Sequence, residues 1–202
     1  MKMLFFGDSV TFLEDGYVKI LTDAFEKANP GEHEIINSGI CGNRVVDLLA
    51  RVKKGCINYK PDLINILVGV NDVWHEFDYT NGVRIELYEK IYRILLDEIK
   101  LALPNVKLIM CEPFYLKGKS TTATKDRPNL YEDFKVLYDY QKVVKKIASD
   151  YGIPFVELQD EFLKCAKVNG EDYYLGDGVH PTVEGAKLIA NEWMKVFEKH
   201  YK

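Results

Sequence analysis

The sequence predicts an α/β fold, a three-layer α/β/α arrangement around a five-stranded parallel sheet. Three observations lead there. Short apolar runs alternate with longer amphipathic ones along the chain. The third run, DLINILVG at 62–69, is nearly all apolar, as a strand covered on both faces has to be. Each run leads into a helical pattern rather than a hairpin turn, the mark of strand–helix–strand crossovers.

Taken in order, MLFF (3–6) reads as a buried strand. The stretch 16–31 reads as a helix with Val18, Leu21 and Phe25 on one stripe, closed by Pro30-Gly31. HEIIN (33–37) is a second strand. A helix over 44–55 stops at Gly55, and Pro61 announces the central strand at 62–69. A long helix over 85–103 ends at Pro104, and VKLIMCE (106–112) is the fourth strand. A polar loop over 117–128 comes next. A helix over 131–152, a fifth strand at 154–158, a short helix and a closing helix over 182–200 complete the series. Right-handed crossovers make a flavodoxin-like strand order the expected topology. No repeat, low-complexity segment or composition break appears, so residues 1–202 are expected to form one domain.

A net charge of -4 gives no reason to expect a nucleic-acid partner, because such binders carry a basic surface. The cysteines at 41, 56, 111 and 165 form no CxxC pair and have no histidine at zinc-site spacing, so neither metal nor cofactor is expected. Cys56, Cys111 and Cys165 read as small buried hydrophobes in a reducing compartment. The apolar start is too short for a signal peptide, and no window approaches the roughly 18 apolar residues of a membrane span. A cytoplasmic address is expected, with homo-oligomerisation left open.

Ligands of open parallel sheets bind beyond the carboxyl ends of the strands, so function should lie in the segments just past each strand. After the first comes Gly7-Asp8-Ser9, after the second NSGICGNR (37–44), after the third GVNDVW (69–74), and after the fifth strand and its short helix LGDGVHPT (175–182). Each alone is ordinary turn chemistry. Together they supply what acyl transfer needs: a nucleophile, a base, a group to orient the base, and oxyanion donors. Ser9 is the candidate nucleophile. Of the four histidines, His33 and His200 read as solvated surface residues, and His75, past a strand end, could reach a pocket but has nothing nearby to orient it. His180 lies three residues beyond Asp177 in a Gly-rich turn, and Pro181 restricts its backbone. A carboxylate on Nδ1 sets the tautomer that leaves Nε2 free to take the serine proton. The backbone N–H groups of Gly42 and Ser9 and the side-chain amide of Asn71 are the candidate oxyanion donors. Asp8 is expected to brace the turn rather than react.

These four blocks resemble the SGNH (GDSL) hydrolase family, in order and from residue 7 to residue 181; the first reads GDSV where the family has GDSL. The resemblance implies the SGNH hydrolase fold, with Ser9, Asp177 and His180 as catalytic residues and Ser9, Gly42 and Asn71 as the oxyanion hole. Gly39-Ile40-Cys41-Gly42-Asn43, GVNDVW, EPFYLKG (112–118) and VHP are more narrowly similar to bacterial acetylxylan esterases and related sugar O-deacetylases. Cys41 stands where those relatives often carry Ser and is expected to be a small packed side chain, with a catalytic cysteine the alternative. Arg44, Trp74 and Tyr115 are candidates to line an acyl or sugar subsite, with simple packing the alternative for each.

The expected activity is a metal-independent serine esterase removing short acyl groups, acetyl first, from small carbohydrate esters. A lysophospholipase or thioesterase is the alternative enzyme; it would need a long apolar channel, which the polar 117–129 loop argues against. Whether that loop acts as a lid is left open. A non-enzymatic acyl-sugar binding module is the remaining alternative, disfavoured because every catalytic position is filled.

Overall fold

The computed structural model describes residues 1–201. Five strands, β1 (Lys2–Gly7), β2 (Glu34–Gly39), β3 (Leu63–Leu67), β4 (Lys107–Cys111) and β5 (Phe155–Val156), form one parallel sheet in the order β2-β1-β3-β4-β5. The predicted three-layer α/β/α fold with flavodoxin-like strand order is therefore the observed one. The helices are α1 (Ser9–Phe12), α2 (Tyr17–Ala28), α3 (Val45–Ala50), α4 (Val52–Gly55), α5 (Val70–Tyr79), α6 (Ile85–Ala102), α7 (Leu130–Asp133), α8 (Leu137–Tyr151), α9 (Gln159–Asn169) and α10 (Val183–Tyr201). Among the described residues no helix is long and apolar enough to cross a membrane.

The two-residue period of the strands sorts the core. Leu4, Phe6, Ile64, Ile66, Leu108 and Met110 face a cluster completed by α3, α6 and α8. Met3, Phe5, Leu63, Leu67, Ile109 and Cys111 face the opposite one, filled from α2, α9 and α10. One polar residue interrupts the central strand. Asn65, fully buried, accepts hydrogen bonds from Trp193 Nε1 at 2.9 Å and Cys111 Sγ at 3.1 Å, and donates to Tyr17 Oη at 3.1 Å. That satisfied hub ties α2 and α10 to the sheet, and with it the two chain segments that carry the site.

Three departures from expectation have local causes. The helix expected over 44–55 breaks at Arg51, whose guanidinium bonds the carbonyls of Gly7 and Ser38 (both 2.9 Å) and Asn43 Oδ1 (2.6 Å) while lying over the Phe6 ring. The fifth strand shrinks to two residues because the N–H groups of Leu158 and Gln159 bond Glu112 Oε2 (2.7 and 2.8 Å) instead of extending the ladder. The stretch after β3, expected as a turn, opens helix α5. Val70, Val73 and Phe77 give it an ordinary core-facing stripe, but the turn-forming residues at the strand exit mask its start.

Candidate active site

Ser9 is placed by the way β1 ends. Asp8 caps α1, its Oδ1 accepting the Val10 N–H at 3.0 Å, so Ser9 is the first helical residue. Asp8 is buried, and burial pushes its carboxyl up to about 7, against the hydrogen bond from Val10 and the nearby imidazole of His180. The folded protein therefore holds a proton there that the unfolded chain releases near pH 4, so stability falls as pH rises from about 4 to 7. Asp8→Asn keeps an oxygen for the cap and removes this penalty. Its stabilisation relative to wild type should grow by on the order of 2–4 kcal/mol between pH 4.5 and pH 8.5. Urea titrations at both pH values read this directly, and an equal difference at both would contradict it.

The opposing loop carries Asp177 and His180. An antiparallel bridge between Leu175 and Pro181 closes it, and Gly178 takes φ of +96° where an added Cβ would collide with Thr121 Oγ1. Asp177 Oδ1 accepts the N–H groups of Val179 (2.9 Å) and His180 (2.7 Å), and Oδ2 meets His180 Nδ1 at 2.8 Å. His180 Nε2 lies 2.9 Å from Ser9 Oγ, across 171 positions of sequence. The hydrogen bond to Asp177 raises the His180 pKa, outweighing partial burial. Burial alone would raise the Asp177 carboxyl, but bonds from His180 and Val179 and the imidazole charge hold it well below the usual carboxylate range.

A second loop braces this one, and nothing in its polar, aperiodic sequence announces it. The Leu116 N–H donates to Gly178 O (2.8 Å), the Ser120 N–H donates to Asp177 O (2.9 Å), and Ser120 Oγ donates to Asp177 Oδ2 (3.3 Å). Residues 116–122 thus clamp the Asp177–His180 turn.

Gly42 has φ of +75°, a conformation that lets its backbone face the cavity beside the His75 ring. Neither the Gly42 nor the Ser9 N–H donates within the protein among the described residues. Asn71, on the first turn of α5, is buried and spends one amide proton on Asn43 O (3.1 Å), leaving the other free. Asp72 accepts the Val45 N–H at 3.1 and 3.2 Å, pinning the start of α3 beneath the same helix.

Ser9, Gly42, Asn71 and His180 share a cavity of about 240 Å³, with Trp74 in its wall. Two other sequence candidates do not line it. Arg44 is engaged with Asp47, Nε to Oδ2 at 3.0 Å, and with Asn81 O. Tyr115 is buried and stacks on Phe134, ring centroids 5.5 Å apart. Cys41 is exposed at the cavity rather than packed, and Cys165 is only partly buried. His33 is half-buried against Phe25, not a solvated surface residue. The remaining wall is His75, Asp78 and Tyr79. With Asn71 and Trp74 they recur at helical spacing along α5, a signal readable only once 70–79 is taken as a helix. Among the described residues no cluster of three or more His, Cys, Asp or Glu is arranged to hold a metal.

Three comparisons bear on this geometry. A family model described as the GDSL-like lipase/acylhydrolase family matches residues 5–188. An acetylxylan esterase of Geobacillus stearothermophilus is 31% identical, the match covering 96% of this chain and 92% of that one. The crystal structure of an acetylxylan esterase from the same organism superposes with a TM-score of 0.82 at 30% identity, covering 96% and 93%. A candidate GDSL-like lipase from Parabacteroides merdae ATCC 43184 superposes at 0.86, also 30% identical, covering 98% and 95%. Three further structures of the Geobacillus esterase are catalytic mutants, in which a serine, an aspartate or a histidine is replaced by alanine.

Proposed function

The chain belongs to the GDSL-like lipase/acylhydrolase family, and from that premise we propose a serine esterase that removes short acyl groups, acetyl first, from small carbohydrate or oligosaccharide esters. The observation that carries this reading is the continuous hydrogen-bonded line from Ser9 Oγ through His180 to Asp177, 2.9 and then 2.8 Å. The replacement of a serine, an aspartate and a histidine in the related acetylxylan esterase's catalytic mutants supports the same three roles here.

His180 Nε2 takes the Ser9 proton as Oγ bonds the acyl carbon. The oxyanion forms against the Ser9 and Gly42 N–H groups and the free amide proton of Asn71. His180 then passes its proton to the leaving oxygen, the alcohol departs, and the acyl group stays on Ser9. A water attacks next, giving its proton to His180. The carboxylate product leaves, and Ser9 regains its proton.

The cavity has to take the acyl group together with the start of the alcohol, which favours a short acyl group. The site offers about 240 Å³. A larger hollow of about 810 Å³, walled by Val73, Phe77, Val83, Leu87 and Tyr140, includes neither Ser9 nor His180. The lysophospholipase or thioesterase reading gains nothing from it. A fluorophosphonate should label wild-type protein and not Ser9→Ala. Across p-nitrophenyl esters, kcat/KM should fall about tenfold or more from acetate to octanoate. An optimum at eight carbons or longer would overturn the short-acyl reading, and equal labelling of both proteins would overturn the nucleophile.

A further inference from the structure

We propose that the cavity-lining face of α5 built from Trp74, His75, Asp78 and Tyr79 is the subsite for the alcohol half of the ester, and that it selects a polyhydroxylated alcohol. This deepens, and rests on, the esterase reading above.

Direction comes first. The leaving oxygen must sit beside His180 Nε2, which protonates it. The Trp74 ring lies against His180, centroids 6.0 Å apart, so the alcohol leaves the reacting centre along Trp74. Beyond Trp74 the helix repeat puts His75, Asp78 and Tyr79 next in the same wall. Asp78 and Tyr79 are exposed, Tyr79 at 65%, so this end opens to water, as the bulky half of the ester requires.

Chemistry comes second. Half-burial and the Arg44 charge keep the His75 imidazole below its ordinary pKa, so at neutral pH it is uncharged, with one nitrogen to donate and one to accept. Its ring meets the Tyr79 ring edge-on, centroids 5.2 Å apart, which fixes both. The Asp78 carboxylate offers acceptors only. A donor–acceptor pair beside a carboxylate and an exposed aromatic face matches adjacent hydroxyls on a puckered ring, where each hydroxyl donates once and accepts once. A purely apolar alcohol would leave those groups without partners on desolvation.

The helix end is also held for the purpose. Thr80 takes a left-handed φ of +52° while its N–H bonds His75 O, and the Gly82 N–H bonds Glu76 Oε2 at 3.0 Å. The last turn carrying Asp78 and Tyr79 is thereby fixed rather than frayed.

The test compares two acetates of similar size, a mono-O-acetylated methyl pyranoside and cyclohexyl acetate, on wild type, Asp78→Ala, Tyr79→Ala and His75→Gln. Wild type should prefer the pyranoside, and Asp78→Ala and Tyr79→Ala should each lower the pyranoside-to-cyclohexyl ratio of kcat/KM about tenfold. The loss should fall mainly on KM, and His75→Gln, which keeps a donor and an acceptor, should retain more of the ratio than either. Variants that slow both acetates in parallel, or a wild type that prefers cyclohexyl acetate, would overturn the subsite and leave the esterase standing. Failure of wild type to turn over either acetate faster than Ser9→Ala overturns the esterase reading itself.

Discussion

Ser9→Ala is expected to lower kcat on p-nitrophenyl acetate by about 10⁵–10⁶, His180→Ala by a similar factor, and the double variant by no more than either alone. In the proposed mechanism the two groups act as one device. A serine hydroxyl is a poor nucleophile at neutral pH, and it becomes competent only as its proton passes to an imidazole already in contact, here at 2.9 Å. Without the acceptor the hydroxyl is inert, and without the hydroxyl the imidazole has nothing to activate. What remains in each variant is the rate from binding and the oxyanion donors. Ser9 is almost buried in a capped turn that Ala tolerates, so thermal midpoints should barely move. A multiplicative double variant, or wild-type turnover by either single one, would rule out the coupled pair.

Asp177→Asn is expected to lower kcat about 10⁴-fold, through the wrong tautomer rather than the lost charge alone. Asp177 Oδ1 accepts two backbone N–H groups, so the single oxygen of an asparagine stays there. Its NH₂ then faces His180 Nδ1, which can only accept. The ring proton moves to Nε2, the atom that has to receive the serine proton. The pH profile carries a second signature. The hydrogen bond to Asp177 raises the His180 pKa above 6.5, so the acid limb of kcat/KM in wild type should lie above pH 6.5; in Asp177→Asn it should move down. Linkage obeys the same signs. The raised His180 stabilises the fold below about pH 6.5, and that contribution fades as pH climbs through its folded value. The depressed Asp177 stabilises above about pH 4, fading as pH drops below that range. An acid limb that fails to shift between the two proteins would contradict this coupling.

The sheet and its strand order were legible because each strand is a short apolar run with a helical run behind it, and few crossovers connect such units. The convergence of Ser9, Gly42, Asn71, Asp177 and His180 was legible because chemistry of those types recurs at the strand ends. What stayed hidden is instructive. Helix α5 hides because the Gly69-Val70-Asn71-Asp72 exit from the strand reads as turn chemistry, although Val70, Val73 and Phe77 carry an apolar stripe behind it. Ser120 and Thr121 hide because their hydroxyls and the backbone bonds around them sit in a polar loop, where small hydroxyl residues are ordinary. Tyr115 misleads because an aromatic near a strand exit can fill a ring cluster as readily as a pocket, and no spacing separates the two.

The hydroxyl and the imidazole reside near opposite ends of the fold's connectivity, and the last helix is moored to the middle strand through Trp193 and Asn65. A nascent polypeptide would therefore carry its reactive alcohol from the first strand onward yet stay silent until the segment around His180 docks. Regain of turnover after dilution from urea clocks that final closure, and should lag any signal reporting helix formation.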